Sequence, residues 1–461
     1  MARLPRIRRR NIRVGVIGLY GAGKTVFLTS LINHLRNHDP KRFQLGDSPC
    51  RVTVFRELAP EYNLPRFPYE QYRSSLVNER RWPRKTTVTS NYVLAYARSD
   101  HPLVKYRLSL LDLPGERIMD LSMYGSSYRT WSRGILRRLQ LEEEYREPAE
   151  AYLRLAARPT TSEAVLIEAY RQLLRRLFCG YRPMITPSTY LLPAKTDDLT
   201  AIPQRGVFDQ TFVGLGPDSQ FAPLPERTLS QNRDLEKRFT QRYNAYVREI
   251  VRPMANFLRG CDSLVILVDV ATVLAGGVSS YHGCRELLGE IIGALKPGDS
   301  GLPSYVLREG TRLTGDIVPG ADSLLRLAIP HINRVAFVAT QVDRVHERER
   351  QKLAGLLKDM TYDLIDARKE QSWGLQVDWF ACAAVASTDS KQNGMIQARL
   401  QEDKLDNVIV NYTTTPVPEY WPEDWSPGDY QFPFVRPSIP LRRDAPPRHL
   451  DLDRVARFVL A

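Results

Sequence analysis

Eight consecutive residues near the start of the chain, Gly18 to Thr25, have the types and the spacing needed to hold phosphate groups. They read Gly-Leu-Tyr-Gly-Ala-Gly-Lys-Thr, they follow the apolar run Ile12 to Ile17, and they open a helical pattern. Glycines let successive backbone N–H groups curl around phosphate oxygens, and the start of the helix adds its positive dipole end. The lysine reaches the β- and γ-phosphates, and the threonine hydroxyl can bind Mg2+. The spacing therefore predicts a P-loop for a nucleoside triphosphate.

The predicted phosphate contacts are Gly18, Tyr20, Gly21, Ala22, Gly23, Lys24, Thr25 and Val26. Lys24 is also predicted to act in catalysis, because its charge offsets that of the transferred phosphate. Thr25 is predicted to be a metal ligand.

A second signal follows at the end of another predicted strand. The apolar segment Tyr106 to Leu111 leads into Asp112-Leu113-Pro114-Gly115-Glu116. Asp112 is predicted to hold Mg2+ through a water, and the Gly115 N–H is predicted to contact the γ-phosphate. Glu116 stands where many GTPases carry the glutamine that orients the attacking water. It is predicted to be catalytic, and a helix cap is the alternative interpretation.

A hydroxyl that could close over the γ-phosphate lies between these two signals. The segment Val88 to Ala97 alternates with a period of two, as a strand does, and Thr86 and Thr87 precede it. In a nucleotide switch, a threonine just before such a strand binds the metal and contacts the γ-phosphate. We predict Thr86 as a metal ligand and catalytic residue. Thr87 is the neighbouring candidate, and an ordinary loop before a strand is the other interpretation.

Residues that could select the base follow two further buried strands. The segments Ser263 to Asp269 and Arg334 to Ala339 are almost continuously apolar, as parallel strands are, and the second leads into Thr340-Gln341-Val342-Asp343. Ras-like GTPases usually carry Asn/Thr-Lys-x-Asp here, with the aspartate bound to guanine N1 and N2. Gln341 departs from that lysine, which weakens the expectation of guanine. Asp343 could otherwise cap the following helix.

A last strand is predicted over Val377 to Ala381, and the small residues Cys382-Ala383-Ala384 follow it. In GTPases, a loop of small residues at this place lets a backbone N–H reach the guanine oxygen. The predicted base contacts are therefore Thr340, Gln341, Asp343, Ala383 and Ala384.

A long segment with helical patterning, residues 117–260, interrupts this series of signals. A capping box at Thr160-Thr161-Ser162-Glu163 precedes a helix that ends near Gly180. Leu235, Phe239, Tyr243, Tyr246 and Ile250 share the spacing of one helix face, and we predict an inserted helical domain. The predicted segments are a basic N-terminal arm over 1–13, a nucleotide-binding domain over 14–116 and 261–405, the helical insertion over 117–260, and a C-terminal extension over 406–461 with a short closing helix.

The composition is that of a soluble globular protein, with 43% hydrophobic and 25% charged residues. The apolar stretch Leu264 to Ala275 is interrupted by Asp269, so no membrane span is predicted. Five scattered cysteines favour a reducing cytosol over a zinc site. The net charge is +13, and six arginines cluster in residues 3–13, which leaves open a peripheral contact with an anionic membrane. No nucleic-acid-binding motif supports RNA.

The chain resembles the YcjX-like family of bacterial P-loop NTPases, which are predicted GTPases associated with stress. The resemblance extends over nearly the whole chain. It rests on the P-loop and on the motifs Trp82-Pro83, Asp112 to Glu116, Tyr246-Val247-Arg248, Leu267-Val268-Asp269, Leu274-Ala275-Gly276-Gly277, Ala339-Thr340 and Leu452-Asp453. It implies an α/β fold of the P-loop NTPase class, a Ras-like G domain with a mostly parallel sheet and a helical insertion, that binds GTP or GDP with Mg2+.

We therefore expect a cytosolic GTPase that changes shape with the γ-phosphate and meets a protein partner through its insertion. Two alternatives stay open. The first is an ATPase with the same site, which Gln341 suggests. The second is a scaffold that holds nucleotide and binds a membrane or protein partner with little turnover.

Overall fold

The computed structural model of this protein is a mixed α/β structure whose central sheet is largely parallel. It describes residues 8–18, 21–46, 48–61, 64–83, 89–113, 118–141, 143–179, 217–295, 332–365, 375–401, 408–437 and 445–461. No helix within these ranges is long and apolar enough to cross a bilayer.

The described strands form a seven-stranded sheet and a three-stranded sheet. The large sheet has the order β2-β3-β4-β1-β5-β6-β7, and the small antiparallel sheet has the order β10-β9-β8. The strands are β1 (Arg8–Gly18), β2 (Val52–Glu57), β3 (Ser90–Arg98), β4 (Val104–Asp112), β5 (Ser263–Val268), β6 (Arg334–Ala339), β7 (Gln376–Ala381), β8 (Asp389–Ser390), β9 (Met395–Ala398) and β10 (Val410–Thr413).

Helices connect and cover these strands. The described α-helices are α1 (Lys24–Arg36), α2 (Tyr69–Val77), α3 (Tyr128–Leu141), α4 (Glu143–Ala156), α5 (Glu163–Cys179), α6 (Glu226–Gln231), α7 (Arg233–Tyr246), α8 (Arg252–Arg259), α9 (Val270–Ala275), α10 (Gly277–Leu295), α11 (Arg350–Thr361) and α12 (Leu452–Leu460). A π-helical turn, Val247–Val251, joins α7 to α8.

The direction of the strands fixes where functional loops can gather. β1 is parallel to β4 and β5, and β6 and β7 continue the parallel arrangement, whereas β3 is antiparallel to both of its neighbours. Parallel strands place their carboxyl ends at one edge of the sheet, which is the usual ligand-binding edge of open α/β sheets. The loops after β1, β4, β5, β6 and β7 therefore begin at this edge.

The chain divides into two compact units. The first comprises Met1–Pro114, Leu258–Arg285 and Pro297–Ala461 and contains both sheets. In its core, Val14 and Val16 of β1 pack with Leu28 and Leu31 of α1 and with Val455 of α12.

The second unit comprises Gly115–Phe257 and Glu286–Lys296, and its described part is helical. Its core is rich in aromatic rings. Trp131, Phe221 and Tyr243 lie with their ring centroids 5.3 to 5.6 Å apart, and the Tyr128 hydroxyl donates to the Ala222 carbonyl at 2.8 Å. Four residues of the predicted helix face, Leu235, Phe239, Tyr243 and Tyr246, are buried in α7 as expected, whereas Ile250 lies in the π-helical turn and is partly buried.

Candidate functional site

Glycines shape the loop that follows β1. Gly18 ends the strand, and a Cβ there would lie 3.2 Å from Leu267 Cβ, so the close approach of β5 favours glycine. Gly21 and Gly23 have φ angles of +79° and +76°, a left-handed conformation that residues with a Cβ rarely adopt. None of the described atoms lies within 4 Å of the place that a Cβ would take at either residue. The space beside both glycines is therefore open among the described residues.

Gly23 caps α1, and Lys24 is the first residue of that helix. The Lys24 Nζ lies 2.7 Å from Asp112 Oδ1 and also donates to the Leu113 carbonyl. Both partners come from the carboxyl end of β4, and the Asp112 carboxylate is fully buried. The structure therefore brings together two residues that are 88 positions apart and that the sequence assigns to phosphate and metal.

The neighbouring residues Ala22 and Thr25 are buried, and Val26 is partly buried. The Thr29 hydroxyl donates to the Thr25 carbonyl at 2.7 Å within the first turns of α1. Burial of Thr25 beside Lys24 fixes its place at the start of the helix.

Gln341 connects the loop after β6 to the glycine-rich turn. Its Nε2 donates to the Gly21 carbonyl at 2.9 Å and to Asp269 Oδ2 at 3.1 Å. Gln341 has a φ of 55°, and the Thr340 N–H donates to the Val268 carbonyl at 2.9 Å. The glutamine thus ties three loops at the carboxyl edge of the sheet to one another.

Asp343 is a buried carboxylate in a short 3-10 helix, Val342–Arg344. Its Oδ2 accepts the Ser387 N–H at 2.8 Å, and its carbonyl accepts the Thr388 hydroxyl at 2.6 Å. Burial raises the pKa of Asp343, and the hydrogen bond from Ser387 opposes that change. The carboxylate is fixed by the loop after β7, where the sequence places a base-binding segment.

The two alanines predicted to meet the base have backbone partners in this structure. The Ala383 N–H donates to the Leu450 carbonyl at 3.1 Å, and the Ala384 carbonyl accepts the Ser30 hydroxyl at 2.6 Å. Ser387, which the sequence did not single out, is the residue of this loop that contacts Asp343.

Asp269 and Arg344 were also missed as members of this region. Arg344 is 2% exposed, and its Nη1 lies 2.8 Å from Asp269 Oδ2 and 2.9 Å from Thr272 Oγ1. The position of Asp269 directly after an apolar strand was the available signal. Nothing in the local pattern indicates Arg344, because an arginine after the aspartate is ordinarily read as exposed.

Several predicted site residues lie outside the described residues: Tyr20, Thr86, the alternative Thr87, Gly115 and Glu116. Those assignments stay predictions. The described site residues between Gly18 and Val26 and between Thr340 and Asp343 follow strands that end at the same sheet edge as Asp112.

Comparison with known proteins decides the family. The sequence profile of the YcjX-like family, DUF463, matches residues 12–461. The chain belongs to the YcjX-like family. It is 25% identical over 477 residues to a protein named Ras-like GTPase YcjX from Escherichia coli (strain K12). The alignment covers 98% of this chain and 95% of the relative. It is 26% identical over 510 residues to a protein of the same name from Shewanella oneidensis, with 99% and 95% covered. The resemblance noted from the sequence motifs is thereby confirmed.

Proposed function

We propose that this YcjX-like protein binds and hydrolyses GTP with Mg2+, and that its first unit is a Ras-like P-loop domain interrupted by a helical insertion. The observation that carries the proposal is the meeting of Lys24 and Asp112 beside an open, glycine-lined turn. The names of the two relatives support the same function.

The residues of the turn have the properties that a triphosphate requires. An ammonium group has three N–H donors, and within the described part of the chain Lys24 directs two of them to Asp112 and Leu113, so we assign the third to a phosphate oxygen. We assign Thr25, Thr86 and Asp112 to Mg2+, which would offset charge on the β- and γ-phosphates when bound. Gly115 is assigned to the γ-phosphate and Glu116 to the attacking water.

Guanine is the base that Asp343 fits best. Its buried carboxylate is an acceptor for the N1–H and the N2 amino group of guanine, while adenine offers no such pair of donors at this edge. The site should reject adenine, because a buried acceptor left unpaired costs about 1 to 3 kcal/mol or more. Thr340, Gln341, Ala383 and Ala384 are assigned to the rest of the base site.

ATP is the second candidate substrate, and Gln341 is the observation that favours it. Its amide already donates to Gly21 and Asp269, and it lacks the long charged stem that normally lies along guanine. The preference for guanine therefore depends on Asp343 to a greater degree than in a protein with lysine at this position.

The direct test is single-turnover release of phosphate by the full chain with GTP or ATP and Mg2+. We expect faster release with GTP. Glu116→Ala should slow release about a hundredfold or more while GTP affinity changes little, because a residue that positions water acts mainly in the transition state. Glu423→Ala, a change at an exposed glutamate, is the control. Equal rates for Glu116→Ala and the parent would exclude Glu116 from hydrolysis, and no release with either nucleotide would contradict the function.

A further inference from the structure

One face of the central sheet carries basic side chains where the opposite face carries core residues. Side chains alternate along a strand, and residues paired across neighbouring strands share a face. On one face of β1 and β4, Ile12 pairs with Leu108, and both are buried in the core. On the other face, Arg9 pairs with Lys105, and Asn11 pairs with Arg107.

The basic face continues across β3 to β2. Ala97 pairs with Lys105 and Ala95 with Arg107, and Ala95 in turn pairs with Arg56 of β2. Neighbouring strands lie about 4.8 Å apart, so the charges stand in a closely spaced array, with Asn11 between those of β1 and alanine methyl groups between those of β4 and β2. We define the basic face as Arg9, Arg13, Arg56, Lys105 and Arg107.

Acidic residues neutralise only part of this array. Glu61 lies 2.8 Å from the Arg107 guanidinium and 3.8 Å from that of Arg13, and Asp262 Oδ2 accepts the backbone N–H of Arg13 at 2.8 Å. Arg9, Arg56 and Lys105 are exposed and make no ion pair among the described residues.

The sheet fixes the backbone positions from which these side chains extend. Arg9 lies in the part of β1 that pairs with β4, so its backbone does not have to be ordered when a ligand binds. Arg10 points to the other face, where its guanidinium donates to the Ala461 carbonyl at 2.5 Å. The basic face is therefore distinct from a solvated N-terminal arm.

We propose that the basic face binds the surface of an anionic phospholipid membrane. The charges lie on the face of a sheet, and a broad array of this kind contacts many headgroups at once. Val54, which pairs with Ala97 at the edge of the array, is 54% exposed and offers an apolar side chain at the headgroup boundary. The proposal does not rest on nucleotide binding.

A nucleic-acid backbone is the competing anionic ligand. Sheets that bind single strands place aromatic rings among their basic residues, because bases stack on them. The strand residues that share this face in the described part of β1, β2, β3 and β4 include alanine, asparagine and valine beside the basic residues but no aromatic ring. The observations therefore favour lipid over nucleic acid.

The experiment is flotation of the full chain with vesicles of phosphatidylcholine containing about one-third phosphatidylglycerol, at about 0.1 M salt. We expect binding to these vesicles, little binding to pure phosphatidylcholine, and release at high salt. The variant Arg9→Glu/Arg56→Glu/Lys105→Glu should weaken binding at least about a hundredfold, since each basic residue near a membrane contributes roughly fivefold.

The matched control is Lys41→Glu/Arg348→Glu/Lys391→Glu, which changes the net charge equally at exposed residues outside the basic face. Its vesicle binding should stay within a few-fold of the parent. Equal loss in both variants, or no binding of the parent to the anionic vesicles, would overturn the proposal. So would binding of the parent to a polyuridine oligonucleotide that is tighter than to the vesicles and is lost in the Arg9→Glu/Arg56→Glu/Lys105→Glu variant. Circular dichroism and GTP titration of both variants verify that they fold and keep the nucleotide site.

Discussion

Asp112 and Asp343 are buried carboxylates at the same edge of the sheet, and they are stabilised in different ways. Asp112 has the ammonium group of Lys24 at 2.7 Å, whereas Asp343 accepts a neutral backbone N–H from Ser387. A charge pair in a buried place depends on both partners, because removing one leaves an uncompensated charge. Burial raises the pKa of Asp343, the Ser387 N–H and the charges of Arg350 and Arg344 oppose that rise, and we assign its further acceptor capacity to a ligand.

The variant Asp343→Asn tests whether Asp343 selects guanine. We expect weaker GTP binding, because the amide replaces an acceptor with a donor, and better binding of xanthosine triphosphate, whose carbonyl accepts that donor. Loss of a hydrogen bond to a charged group corresponds to about 1.5 to 3 kcal/mol. Calorimetric titration with both nucleotides measures the change, with the exposed Asp359→Asn on α11 as control. Unchanged preference in Asp343→Asn would place Asp343 outside the base site.

At the scale of secondary-structure elements, Arg344 joins parts of the first unit that are distant in sequence. Besides Asp269 and Thr272, it donates to the carbonyls of Pro433 at 2.9 Å and Phe432 at 3.3 Å, and its guanidinium lies 4.3 Å from the centroid of the Phe434 ring. The segment around these residues has no long strand or helix of its own. Arg344 is one of several anchors of this segment, since Trp425 Nε1 also donates to the Leu274 carbonyl at 2.8 Å and the Arg436 N–H to the Arg399 carbonyl at 2.8 Å.

Arg344→Met should lower the free energy of unfolding by about 3 to 5 kcal/mol, because it leaves Asp269 buried without its ionic partner. Arg344→Lys should recover only part of the loss, since an ammonium group cannot reproduce the planar fork of donors. Urea unfolding measures both. Arg348→Met, at an exposed arginine four residues on, should stay within about 0.5 kcal/mol of the parent. Similar stability for Arg344→Met and Arg348→Met would show that the Arg344 contacts do not hold this segment.

The C-terminal segment before α12 is attached to α1 through a second buried residue, His34. Its ring stacks on Phe43 with centroids 4.7 Å apart, meets His449 edge-on at 4.7 Å, and its Nε2 lies 3.1 Å from the Pro447 carbonyl. Burial, and to a lesser degree His449, lowers the pKa of His34 from 6.5 to about 3. The unfolded chain therefore takes up a proton at this residue at a higher pH than the folded chain does.

The contribution of neutral His34 to stability is present above pH 6.5 and is lost as the pH falls toward about 3. We expect the unfolding free energy to fall with a slope of up to about 1.4 kcal/mol per pH unit in that range. His34→Gln, which keeps a donor for Pro447 but does not titrate, should have a shallower slope. The exposed His282→Gln should keep the slope of the parent. Urea unfolding at several pH values measures these slopes. Identical slopes of unfolding free energy against pH for the parent and His34→Gln would contradict the role given to His34.

The sequence predicted the buried strands of the large sheet but not the exposed or short ones. β5 and β6 were predicted from almost continuous apolar runs, β4 and β7 from apolar segments that polar residues interrupt, and β3 from the alternation over Val88 to Ala97. β1 begins at Arg8, four residues before the apolar run, because hydrogen bonds to β4 extend a strand whose first residues are polar. β2 is largely exposed, and β8 to β10 have two to four residues each, so their patterns are too weak to identify.

Lys24 and Asp112 followed from local motifs, whereas the contacts of Gln341 and Arg344 depend on tertiary structure.

At the scale of the whole molecule, the chain passes from the first compact unit to the second between Pro114 and Gly115. That crossing comes two residues after Asp112, within the motif assigned to the γ-phosphate. The second unit has its own aromatic core, so it can respond as a body when the connecting segment changes. We propose that nucleotide state is transmitted to the insertion through this segment and that a protein partner reads it there.

Hydrogen exchange tests this transmission. Protection across 117–260 should differ between the GDP complex and the complex with a non-hydrolysable GTP analogue, because loss of the γ-phosphate removes a contact at the connecting segment. The small sheet, β8 to β10, is the internal reference and should not change. If the insertion is equally protected in both complexes and only the P-loop differs, the insertion does not respond to nucleotide state.

Calorimetric titration of the full chain with GTP and ATP in Mg2+, repeated for Lys24→Ala, tests the central claim most directly. We predict that the parent binds GTP more tightly than ATP and that Lys24→Ala weakens both by about a hundredfold or more, because the lysine offsets phosphate charge. The exposed Lys41→Ala should bind as the parent does, and circular dichroism of Lys24→Ala verifies that it remains folded despite losing the contact with Asp112. Equal nucleotide affinity of folded Lys24→Ala and the parent would contradict the assignment of this turn as a triphosphate site.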